Sequence, residues 1–60
     1  MKVILRKNLK VEQADLNKGD EGWMRGIRFG GESDICICDF GDHKLLPIEK
    51  SNIEFPKVDI

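Results

Sequence analysis

Residues 34–40 read "DICICDF", and the placement of this run decides the fold. In an extended strand, residues two apart face the same side. Asp34, Cys36, Cys38 and Phe40 then share one face, and Ile35, Ile37 and Asp39 the other. Phe40 is the largest group on its side, which predicts that this side looks into the core. Cys36 and Cys38 become small buried packing groups, the usual behaviour of free cysteine. Residues two apart on a strand have Cα atoms about 7 Å apart, beyond comfortable disulfide geometry. A reducing compartment would also keep them as thiols.

A metal centre is the competing reading. Cys36, Cys38 and His43 offer three ligands, with Asp39 or Asp42 as a fourth. Structural zinc sites usually show two Cys separated by two to four residues, then a second pair. Here one residue separates the cysteines, His43 is the only histidine, and no second pair is present. A reactive thiol needs exposure and a nearby cation, whereas "DICICD" supplies carboxylates. Core filling is expected, with no metal and no cofactor.

Outward from this run, turn residues punctuate the chain at short intervals, as in small all-β folds. "KVILR" (2–6) reads as a first strand, with Val3 and Leu5 on one face and Lys2, Ile4 and Arg6 on the other. "KNLKVEQADLNKGDEG" (7–22) reads as a long polar connection, in which "VEQADL" (11–16) could close one helical turn and "NKGD" (17–20) is turn chemistry. "GWMRGIRF" (22–29) is the second strand; Gly22 and Gly26 mark a bulge or bend where a side chain would obstruct a neighbour. "GGES" (30–33) and "GDHK" (41–44) are turns on either side of the third strand. "KLLPI" (44–48) is the fourth strand, with Pro47 at a strand end or edge. "EKSN" (49–52) forms a short turn or one turn of 3-10 helix, "IEF" (53–55) a fifth strand, and "PKVDI" the tail.

Five short strands, a long first loop and tight hairpins predict an all-β fold, a single small five-stranded barrel over residues 1–60. Three motifs carry a resemblance: "L-x-K-G-D-E-G-x-M-x-G-I" (Leu16 to Ile27), "C-x-C-x-F" (Cys36 to Phe40) and "L-L-P…I-E" (Leu45 to Pro47, Ile53 and Glu54). Together they resemble an SH3-like barrel of the bacterial kind, similar in outline to KOW-type modules and to the ferredoxin-docking photosystem I subunit. The resemblance spans nearly the whole chain and implies a binding module; it carries no catalytic residue across. The chain has no tyrosine and no "Pro-x-x-Tyr" element, which separates it from the proline-peptide-binding SH3 family, whose groove is lined by such aromatics.

A 60-residue chain buries a small core and has little stability to hold a strained catalytic constellation. His43 stands in a turn directly after Asp42, Ser33 and Ser51 have no evident base, and "GIRFGG" lacks the Lys-Ser/Thr of a phosphate loop. A non-catalytic role is expected. No apolar run reaches the length of a membrane span or of a signal-peptide core, so the expected location is cytoplasmic. Net charge is −1, yet residues 1–28 carry seven basic and four acidic groups and residues 29–60 three basic and seven acidic.

Alternation around Met24, taken as a core position, turns Trp23 and Arg25 outward, and Phe29 shares their parity unless a bulge at Gly26 reverses it. Trp and Arg are the residue types that most often anchor interfaces; the competing role for Trp23 is a lid over one end of the barrel. The first function class is a protein-binding module that docks to a larger complex and regulates or assembles it. The second is a KOW-like nucleic-acid module using Lys2, Arg6, Lys7, Arg25 and Arg28 on phosphates, with Trp23 stacking on a base. The pI of about 5.7 argues against the second, because nucleic-acid domains usually carry a strong basic excess. The protein is expected as a monomer or a weak homodimer joined through an open sheet edge.

Overall fold

A computed structural model describes residues 1–31 and 33–57. The alternation in "KVIL" becomes β1 (Lys2–Leu5), with Val3 and Leu5 fully inside. Two short strands follow, β2 (Leu9–Val11) and β3 (Ala14–Leu16), then three long ones, β4 (Glu21–Gly30), β5 (Ser33–Phe40) and β6 (His43–Glu49). A 3-10 turn (Lys50–Asn52) leads into β7 (Ile53–Glu54).

β1, β4, β5, β6 and β7 are the five expected strands. They pair antiparallel in the order β6-β5-β4-β1-β7, and β2 and β3 form a separate two-stranded sheet. The all-β class therefore holds. Three expectations are corrected. Among the described residues the main sheet is open, with β6 and β7 as its edges, where a closed five-stranded barrel was expected. The long first loop is largely a hairpin, and "VEQADL" is extended on both sides of a turn at Glu12 and Gln13 instead of helical. His43 and Lys44, expected in a turn, already belong to β6. Glu32 of the "GGES" turn and residues 58–60 of the tail lie outside the described residues.

The hairpin is extended because its apolar residues alternate. Ala14 and Leu16 are buried while Asp15 between them is exposed, so a period of two buries more than a helical turn would. The turn that leaves β3 is fastened to β1. Gly19 donates its N–H to the Leu5 carbonyl (2.9 Å), and Leu5 donates to the Asp20 carbonyl (3.0 Å). The "NKGD" turn closes on itself: Asp20 N–H donates to the Asn17 carbonyl (3.0 Å) and Asn17 N–H to Asp20 Oδ2 (2.9 Å).

The core lies on one face of the five-stranded sheet, under the hairpin. Val3, Leu5, Ala14, Leu16, Cys36, Cys38, Phe40, Leu46, Ile48 and Ile53 are all buried. The predicted parity of β5 is observed: Cys36 and Cys38 are fully buried and Phe40 nearly so. Gly22 lets this face close, because a Cβ there would collide with the Asp39 carbonyl oxygen and sit 2.7 Å from the Phe40 ring. Pro47 lies on edge strand β6, opposite Ile37, the kind of position to which proline is confined within sheets.

Candidate functional site

The outer face of the same sheet holds the candidate site, and two irregularities shape it. β4 bulges between Met24 and Gly26 against β5. β6 loses register with β5 between the Cys38–Leu46 and Phe40–His43 pairs, where Leu45 has a left-handed φ of 54°. That conformation costs a leucine about 1–2 kcal/mol, so something must hold it.

Asp39 does so. It sits on β5 between the two irregularities, on the outer face yet only 8% exposed. Its Oδ1 accepts the Leu45 N–H (2.8 Å) and its Oδ2 accepts the Arg25 Nε–H (2.7 Å). Every buried side-chain N or O among the described residues has a partner. The Leu45 N–H, then the Arg25 hydrogen bond and charge, hold the Asp39 carboxyl below its ordinary value; Lys44 adds to this.

Three exposed side chains surround this carboxylate. Trp23 pairs with Asp39 across the strands and is 56% exposed, Leu45 is 62% exposed, and the Arg25 side chain is 62% exposed. Arg25 uses Nε on Asp39, and no other side-chain hydrogen bond of Arg25 is made among the described residues. Trp23 is not among the hydrophobics packed on the core, so it stands on the sheet and does not cap the core as a lid. On the far side of Trp23, Lys2 is ion-paired with Glu21.

The six residues singled out from sequence separate into three places. Trp23 and Arg25 come together as expected. Arg28 joins their face by register, opposite Ile35. Phe29 does not: the bulge shifts its parity, so it pairs with Asp34 on the other side of the sheet and is 78% exposed there. The expected Trp23–Arg25–Phe29 stripe is thereby corrected. Arg6 and Lys7 lie past the far end of β1. Arg6 donates its N–H to the Asn52 carbonyl (2.9 Å) and lines a cleft of about 570 Å³ with Lys50, Ser51, Ile53, Glu54 and Phe55. That cleft mixes both charge signs, and its aromatic, Phe55, packs on the core.

The two thiols face inward, opposite Ile48 and Leu46 of β6 and Ile27 and Met24 of β4. Burial pushes Cys36 up and Cys38 up to about 11, so both are protonated at neutral pH and poor nucleophiles. His43 is exposed at the start of β6, and among the described residues no three His, Cys, Asp or Glu side chains gather as metal ligands. No helix is long and apolar enough to cross a membrane among the described residues.

Sequence reasoning missed Asp39 and Leu45. The available signal was an acid in mid-strand between Cys38 and Phe40, since an isolated carboxylate on a packed strand needs partners. Comparison with known protein families, curated proteins and solved structures found no match to this chain.

Proposed function

We propose that this chain is a non-catalytic protein-binding module that docks to a larger complex, through the outer face of β4–β6, and regulates or assembles it. One observation carries the reading: a single nearly buried carboxylate fixes Arg25 and Leu45 and lies opposite Trp23, leaving all three side chains largely exposed. Exposed tryptophan, arginine and leucine held on a rigid sheet lose little freedom on binding, and Trp and Arg dominate interface energetics. The proposed scaffold is an open-sheeted relative of the SH3-like folds that the sequence resembles. The strand order β6-β5-β4-β1-β7, the hairpin within the first connection and the 3-10 turn before the last strand support it.

The nucleic-acid alternative loses support from the same geometry. Arg6 and Lys7 lie at the opposite end of β1 from Trp23, while Lys2 and Arg25 are ion-paired. Among the described residues, the cations beside Trp23, Lys2 and Arg25, each already hold a carboxylate.

Affinity capture from the native host, with Trp23→Ala as control, tests the proposal. The wild type should retain a protein that Trp23→Ala loses while still unfolding cooperatively. Equal capture by both chains would refute the reading, and so would capture of nucleic acid with a steep salt dependence.

A further inference from the structure

Glycine weakens a strand interior, because it gives up more backbone freedom than any other residue and packs nothing. Gly22 has a reason to be glycine in the Phe40 ring above it. Gly26 stands at the β4 bulge, yet neither conformation nor packing demands a glycine there: its φ is not left-handed, and a Cβ would meet nothing within 4 Å. Open space therefore lies over this backbone position on the outer face, a gap between the neighbouring side chains.

The surroundings of this gap describe what would fill it. Gly26 lies in one row with Ile37 of β5 and Pro47 of β6, so the hollow has an apolar side. Along β4 it is bracketed by Arg25 and Arg28. Arg28 makes no ion pair among the described residues, and Arg25 has only Nε engaged. The acids nearest to Trp23, Glu21 and Asp39, are already bonded to Lys2 and Arg25. Glu49 stands two strands away, beyond Ile35. The unpaired charge beside the hollow is thus positive, in a chain whose net charge is −1.

We infer that the hollow over Gly26 receives an apolar side chain from an extended acidic segment of a partner protein, whose carboxylates engage Arg25 and Arg28. This rests on the reading that the Trp23 face is the docking face. Guanidinium groups bind carboxylates with paired, charge-assisted hydrogen bonds. An extended segment shows one side's residues at a period of two, so an apolar residue in the hollow places its neighbours two positions away over the two arginines.

Selection of displayed random dodecapeptides on the full chain, followed by titration of one synthetic selected peptide, tests the inference. Selected sequences should carry Asp or Glu two positions from Val, Ile or Leu. Gly26→Val and Arg28→Gln should each weaken the peptide about tenfold or more without changing the fold, and acid-to-amide changes in the peptide should do the same. Should Gly26→Val fail to fold, Gly26→Ala takes its place with the same readout. No selection, selection of peptides without acids, or affinity unmoved by filling Gly26 overturns the inference. If Trp23→Ala abolishes binding while Gly26→Val and Arg28→Gln do not, the docking face stands and this inference falls. If Trp23→Ala changes nothing, both fall. Tight, salt-sensitive binding of oligothymidine that Arg28→Gln removes would put a nucleic acid in the partner's place and overturn it too.

Discussion

The two faces of the five-stranded sheet use the same residue type in opposite ways. On the inner face, Gly22 is empty so that Phe40 can close over it, and the cysteines beside it are fully buried. On the outer face, nothing among the described residues closes over Gly26. The inner absence serves packing, whereas the outer one serves no contact within the molecule. On the docking inference proposed above, that open position is where a partner's side chain would sit.

The largest expected effect comes from closing the inner gap. Gly22→Ala drives a methyl into the Asp39 carbonyl and the Phe40 ring, and backbone cannot yield as a flexible side chain can. A loss of about 3 kcal/mol is expected, comparable to the whole stability of roughly 3–5 kcal/mol typical of such domains. Urea denaturation should show a chain only marginally stable in buffer, with its midpoint moved close to zero denaturant; a variant of near-native stability would break the contrast between the faces.

Replacing both cysteines with alanine should cost about 1–2 kcal/mol, the order expected for removing small buried groups, and should leave partner binding intact. The same variant sharpens a pH effect. An unfolded thiol ionises near 9.0, while burial delays Cys38 to about 11 and raises Cys36 as well. This contribution to stability is complete below pH 9 and declines as pH rises from there through about 11. Thermal unfolding across that range should show a slope in the wild type that the double variant lacks.

On the outer face, Asp39 gives a slope of opposite sense. Its carboxyl is held below the ordinary 3.8, first by the Leu45 N–H and then by Arg25. Its contribution is complete above pH 3.8 and disappears as pH falls through the lower folded value. Asp39→Asn should flatten the acid limb and speed hydrogen exchange at the Leu45 amide. Unchanged exchange at Leu45 would show that the carboxylate does not hold that turn.

The smallest effect is the most discriminating. Gly26→Ala should stabilise the chain by about 0.5–1 kcal/mol, because the alanine relieves the entropic cost of glycine and meets nothing. One substitution, made four residues apart on one strand, should therefore change sign between the faces. A destabilised Gly26→Ala would mean that the outer gap has a use within the fold after all.

Much of the fold was legible because its signals are local. The alternation in "KVIL" and "DICICDF" and the turn residues of "NKGD" and "GDHK" located the five main strands and the inward thiols. The β2–β3 hairpin was less visible because Glu12 and Gln13 form its turn, with Glu12 at φ 54°, and neither is a residue that announces one. Burial of Ala14 and Leu16 decides it, and burial is a tertiary fact. Parity gave Trp23 and Arg25 but failed at Phe29, since a bulge moves every later residue on its strand to the other face. Asp39 could be assigned to the outer face by alternation. That it reaches both a bulged arginine and a left-handed leucine depends on two register slips in neighbouring strands, which no single stretch of sequence records.

The proline on β6 has a further consequence. A sheet edge invites identical chains to add strand by strand, and a ring nitrogen without hydrogen denies such growth one of its rungs. At high concentration the molecule can therefore display a sticky tryptophan-bearing face with less risk of zipping into fibrils.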